Sequence, residues 1–100
     1  MARLRYGIIL APEAVDDLNR LSARTRAQLK DALEIHLRHQ PTKTSRSRIK
    51  RLRGLSRPQY RLRVEDMRVF YDVGQRRVEI LAVVMKADAA AWLAREGRKA

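Results

Sequence analysis

Cysteine is absent from this 100-residue chain. That excludes a disulfide framework and every thiolate metal site, and it fits a reducing compartment. Glycine is scarce, four residues in all, and they form no Gly-rich loop able to cradle a phosphate. The two histidines, His36 and His39, belong to no metal-binding motif, and no cofactor is expected. Ser45, Ser47 and Ser56 have no evident His–Asp partner, which argues against nucleophilic hydrolysis. Long apolar runs are also missing. The longest, residues 6–11 and 80–85, fall far short of a bilayer span, and no secretory h-region opens the chain. The expectation is a cytoplasmic protein without membrane contact.

What is present is a core and an excess of cations. Hydrophobic residues make up 45% of the chain, with Leu, Val, Ile and Ala spread along it, which predicts a single domain over 1–100. Lys and Arg number 23 against 11 Asp and Glu, a net charge of +12. Residues 43–78 alone carry +9 and the rest only +3. Solubility does not require such clustering, so the balance points to a face that binds a polyanion.

Periodicity divides the chain at the loop 40–45. Residues 4–10 read as a first strand. Pro12 then opens a short helix over 12–20, with Val15, Leu18 and Leu21 at helical spacing. Ser22 is a fitting N-cap for a second helix reaching about His39, whose stripe is Leu29, Leu33 and Leu37. After the loop the period becomes two. Ile49, Leu52 and Leu55 mark a weak strand, 58–64 and 67–73 alternate cleanly around a Glu65-Asp66 turn, and 78–85 reads as a central strand. Residues 87–96, with Trp92 and Leu93, return to helix. The predicted fold is α+β, ordered β-α-α-β-β-β-β-α. An N-terminal helical hairpin and a C-terminal helix pack on one side of a mostly antiparallel sheet.

The hairpin concentrates the chemistry. A two-residue turn pairs Val64 with Met67, Leu62 with Val69 and Tyr60 with Tyr71 on the core side. The other side then pairs Arg63 with Arg68 and Arg61 with Phe70. Like charges directly opposite are destabilising, so a fold gains nothing from them, whereas an anionic ligand explains them. The same repulsion predicts that Arg68→Ala leaves the fold as stable or slightly more so. Phe70 is the expected stacking surface among these arginines. Upstream, Arg46, Arg48, Lys50, Arg51 and Arg53 place five cations within eight positions and extend the basic surface. Trp92 reads foremost as a core anchor, and His36 as a helix-face residue rather than a catalyst.

Lys50-Arg-Leu-Arg-Gly54 followed by Tyr60-Arg-Leu-Arg-Val-Glu-Asp-Met-Arg-Val-Phe-Tyr-Asp-Val73 resembles the RelE/ParE toxin superfamily over nearly the whole chain. The resemblance implies the toxin of a type II toxin–antitoxin pair. Its RelE-like branch cleaves messenger RNA on the ribosome, and its ParE-like branch inhibits DNA gyrase without being an enzyme. On the ribonuclease branch, Arg61, Arg63 and Arg68 match the basic residues that hold the scissile phosphate. Lys86 matches a further basic residue, and Trp92 an aromatic that stacks on a base. Arg48, Lys50, Arg51, Arg53 and Phe70 complete the expected RNA-binding set. Arg63 stands where that branch has a lysine, and arginine is a poor base because it scarcely deprotonates. Three readings stay open: a metal-independent endoribonuclease, a gyrase inhibitor, and a plain nucleic-acid-binding domain. Both toxin readings imply a cognate antitoxin with an acidic, partly disordered segment that folds over the basic face.

Overall fold

The computed structural model describes residues 5–100; Leu4, placed by the sequence in the first strand, lies outside them. Strand β1 (Gly7–Leu10) leads into helix α1 (Pro12–Asn19) and helix α2 (Ala23–Leu37). Strands β2 (Ile49–Arg51), β3 (Leu55–Arg57), β4 (Tyr60–Val64), β5 (Met67–Gly74) and β6 (Arg77–Met85) follow. A 3-10 turn (Lys86–Asp88), helix α3 (Ala89–Glu96) and a short strand β7 (Arg98–Lys99) complete the chain. The main sheet runs β1-β6-β5-β4-β2, with β1 parallel to β6 and the other pairs antiparallel.

Local chemistry explains most of these boundaries. The Ser22 hydroxyl accepts from the Thr25 backbone N–H at 3.2 Å and caps α2. Arg26 closes the helical corner by donating to the Leu18 and Leu21 carbonyls, each at 2.9 Å. Leu29, Leu33 and Leu37 are buried as their spacing requires, together with Ala14 and Leu18 of α1. Val15 is not: it is exposed, because Ala14 takes the inward position. Where β1 ends, the sheet edge is covered by α1. Asp17 Oδ2 accepts from the Val83 backbone N–H at 2.8 Å and satisfies a donor that no strand reaches.

Two expectations need correction. The weak strand 49–55 is two strands, because Gly54 turns the chain at φ +78°. β2 then joins β4 at the sheet edge, while β3 leaves to pair with β7. The helices also lie on both faces of the sheet. α1 and α2 cover one face, with Leu62, Val69, Tyr71, Val78 and Ile80 beneath them. α3 covers part of the other, where Trp92 packs with Phe70, Leu81 and Ala82. A bulge makes this second core. Tyr71 pairs with Ile80 and Phe70 with Ala82, leaving Leu81 unpaired, so Ile80 and Ala82 point to opposite faces.

Candidate functional site

The β4–β5 hairpin has the register that its alternation predicts: Val64 opposite Met67, Arg63 opposite Arg68, Leu62 opposite Val69, Arg61 opposite Phe70 and Tyr60 opposite Tyr71. Residues directly paired across strands share a face. One row on the α3 side is therefore Lys50, Arg61, Phe70 and Ala82, and the next is Arg63, Arg68 and Val84. Lys86 opens the 3-10 turn just past β6, and its backbone N–H donates to the Asp66 carbonyl at 2.7 Å. The end of β6 is thereby held to the hairpin tip. Lys50, Arg63 and Lys86 are exposed.

Electrostatically this face is uncompensated. None of Lys50, Arg61, Arg63, Arg68 or Lys86 forms an ion pair among the described residues. Arg61 is half-buried, and its Nε is fully covered without a hydrogen-bond partner among the described residues. Burial first, then the charges of Arg68 and Arg63, hold its pKa below the usual guanidinium value. A buried donor left unsatisfied is unfavourable, so the fold gains nothing from holding this guanidinium against Arg63 and Arg68. Beside these residues, Ser47, Arg48, Arg63 and Glu65 line an open cleft of about 300 Å³. Glu65 was legible only as a turn residue. Its place beside Arg63 and Arg48 follows from the way β2 folds back along β4, with Arg63 N–H donating to the Arg48 carbonyl at 2.9 Å.

Other expected members stand elsewhere. Phe70 is fully buried and Trp92 is 5% exposed. Their rings stack on each other at 4.8 Å between centroids, 4° from parallel. Neither offers a free face to a base, because the bulge and α3 turn both inward; the stacking surface expected at Phe70 is replaced by a packed pair. Trp92 Nε1 donates to Glu13 Oε1 at 3.4 Å, consistent with its reading as an anchor. Arg68 faces Arg63 as expected but is buried, and Nη1 donates to the Glu65 and Met67 carbonyls at 3.0 and 2.9 Å. Arg51 belongs to the opposite face. It lies 5.2 Å over the Tyr60 ring and donates to the Gln59 carbonyl, since its strand partner is Tyr60. Arg53 is exposed in the turn before β3. His36 is partly buried near Arg48, and burial first, then that charge, lower its pKa. Sequence spacing carries no signal for this contact between distant segments.

Comparison with known proteins places the geometry in context. Residues 8–89 match the family model described as the ParE toxin of the type II toxin–antitoxin system parDE. The match takes in every cation of the hairpin face and Lys86, and stops short of Trp92. Among curated proteins no sequence matches. Among solved structures the chain resembles the archaeal RelE–RelB complex from Pyrococcus horikoshii OT3. There the TM-score is 0.67 and identity 22%, over 82% of this chain and 96% of the other. It also resembles the isolated RelE toxin of E. coli, at TM-score 0.62 and 19% identity over 88% of this chain and 98% of that one. A third likeness is to the RelBE2 toxin–antitoxin complex from Mycobacterium tuberculosis, at TM-score 0.60 and 23% identity over 81% and 98%. These likenesses are of fold.

Proposed function

The chain belongs to the ParE toxin family of type II toxin–antitoxin systems, and on that premise we propose that its hairpin face binds RNA phosphate and supports metal-independent cleavage of messenger RNA. The observation that carries this reading is the row of cations on β2, β4 and β5 that forms no ion pair with a carboxylate among the described residues. In such cleavage the ribose 2′-oxygen attacks its own 3′-phosphate, closing a cyclic phosphate and expelling the 5′-oxygen. Arg61 and Arg63 would hold the phosphate and stabilise the charge that grows on it, usually the largest contribution to such a reaction. Arg68, pinned by the turn carbonyls, would act from beneath as a fixed charge. Glu65 is the carboxylate beside Arg63 able to take the 2′-hydroxyl proton, a role that no arginine fills. Lys86 would return a proton to the leaving oxygen. A cognate antitoxin is the expected partner. It would neutralise the toxin by laying an acidic segment over the same cations.

A second reading is favoured by two specific observations. The matching family model is that of ParE toxins, and both candidate stacking rings are buried in the second core. A non-enzymatic gyrase inhibitor would use helical surfaces and leave the arginine face dispensable. The two readings separate in growing cells. Inducing the toxin should halt translation and fragment messenger RNA before chromosome supercoiling changes, and Arg61→Ala/Arg63→Ala or Lys86→Ala should restore growth. Supercoiling that fails first, with both variants fully toxic and changes on α1 or α2 detoxifying, would replace ribonuclease by gyrase inhibition.

A further inference from the structure

A second cleft lies across the β2 edge from the arginine face. It opens between the end of α2 and the loop entering β2, with a volume of about 380 Å³. Its charged lining is cationic, Lys43 and Arg48, beside the His36 ring and the hydroxyls of Thr44, Ser45 and Ser47. No carboxylate of the described residues lines it. Lys43 and Arg48 form no ion pair among the described residues. The segment 43–53 as a whole holds six cations and no acid. Two cations and an imidazole converging on one hollow do nothing for the stability of the loop.

The hollow is also built for donation. Ser45 Oγ accepts from the backbone N–H groups of Arg48 and Ile49 at 3.0 and 3.3 Å. That anchors the loop at the edge of β2 and leaves the Ser45 hydroxyl proton free to donate. At the rim, Ile35 is 73% exposed, an apolar surface on which a ribose or base edge can rest. Ser47 and Arg48 line both this cleft and the neighbouring one that holds Arg63 and Glu65. The two hollows therefore form one path around the sheet edge.

From this juxtaposition we infer that the His36–Lys43–Arg48 cleft is a second phosphate-binding subsite, through which a single RNA strand held by Arg61 and Arg63 continues around the β2 edge. The inference rests on the RNA reading of the arginine face and adds to it a direction for the strand. It also gives His36 a task. Burial and the Arg48 charge keep its pKa below the ordinary histidine value in the free protein. A phosphate between His36, Lys43 and Arg48 would raise it, so binding takes up a proton. Affinity is then greatest below the free-state pKa and declines as pH rises through the bound-state value.

The test uses the whole chain and a fluorescent single-stranded RNA, with affinity measured by anisotropy across a salt series. Lys43→Ala/Arg48→Ala should weaken binding about tenfold near physiological salt. It should also reduce the slope of log affinity against log salt by about 1.4, roughly 0.7 for each phosphate contact removed. His36→Gln should abolish the tightening of binding at acidic pH, and the ring signals of His36 in the wild-type protein should shift when RNA is added. A Lys43→Ala/Arg48→Ala protein with wild-type affinity and slope would overturn the inference. If Arg61→Ala/Arg63→Ala still loses binding, the arginine-face reading survives that outcome. A wild-type protein that binds no RNA even at low salt would overturn both.

Discussion

Arg61 and Arg68 are neighbours on one face of one hairpin, yet their charges are handled differently. Arg68 is buried with its guanidinium held by two carbonyls of the turn, whereas the Arg61 Nε is covered and unsatisfied. Opposite outcomes follow on substitution. Arg68→Ala removes a charged donor from two acceptors and should lower stability by about 1–2 kcal/mol in urea unfolding. This reverses the expectation from strand repulsion alone, since the lost hydrogen bonds outweigh the relief from Arg63. Arg61→Met keeps the aliphatic packing and deletes the unsatisfied charge. It should raise stability by about 0.5 kcal/mol, a figure kept small because much of the guanidinium is solvent-screened, while RNA affinity falls. An Arg61→Met protein that is clearly less stable would mean that this guanidinium is satisfied within the fold.

At the scale of elements, α3 depends on one side chain. Trp92 is the only buried residue of this eight-residue helix, and it stacks on Phe70 over the bulged strand β6. Helices this short are not stable by themselves, so its place on the sheet comes mainly from that contact, with Ala89 and Leu93 packed partly beside it. Trp92→Ala should cost about 3–4 kcal/mol of global stability, and Trp92→Phe substantially less because a ring stack survives. Hydrogen exchange would show α3 and the β3–β7 pair losing protection together in Trp92→Ala, since β7 directly follows α3. Protection unchanged in β7 would indicate that the second ladder holds α3 in place without the tryptophan.

For the whole molecule, a net charge of +12 on 100 residues acts on stability and on binding with opposite sign. Without a ligand the cations repel, and five of them on the hairpin face and at its rim lack any ion pair among the described residues. Added salt screens this repulsion over about 8–10 Å near physiological ionic strength. The melting temperature of the free protein should therefore rise between low and physiological salt. RNA affinity should fall steeply over the same range as condensed counterions compete. The two trends must be measured on the same protein. A melting temperature that drops with salt would show that attractive ion pairs, such as Arg57 with Asp72 and Glu79, dominate the surface electrostatics.

What the sequence by itself determined is whatever depends on short spacing. The Ser22 cap, the Leu29/Leu33/Leu37 stripe and the full register of the 60–73 hairpin need only periodicity and turn length, and each is found in the fold. The concentration of cations at 43–78 was equally legible, because charge is counted and not folded. Only the tertiary structure decided which of those residues face outward. Alternation placed Phe70 among the arginines, but the Leu81 bulge and the packing of α3 buried its ring. A bulge adds one residue to one strand and leaves no mark in composition. Gly54 redirected β3 toward a C-terminal partner more than forty residues away. The nearness of His36 to Arg48, and of Glu65 to Arg48, likewise arises from segments that meet only when the sheet edge closes. Side-chain direction at a face is local physics, whereas what lies above that face is decided by distant chain, and candidate sites are made of both.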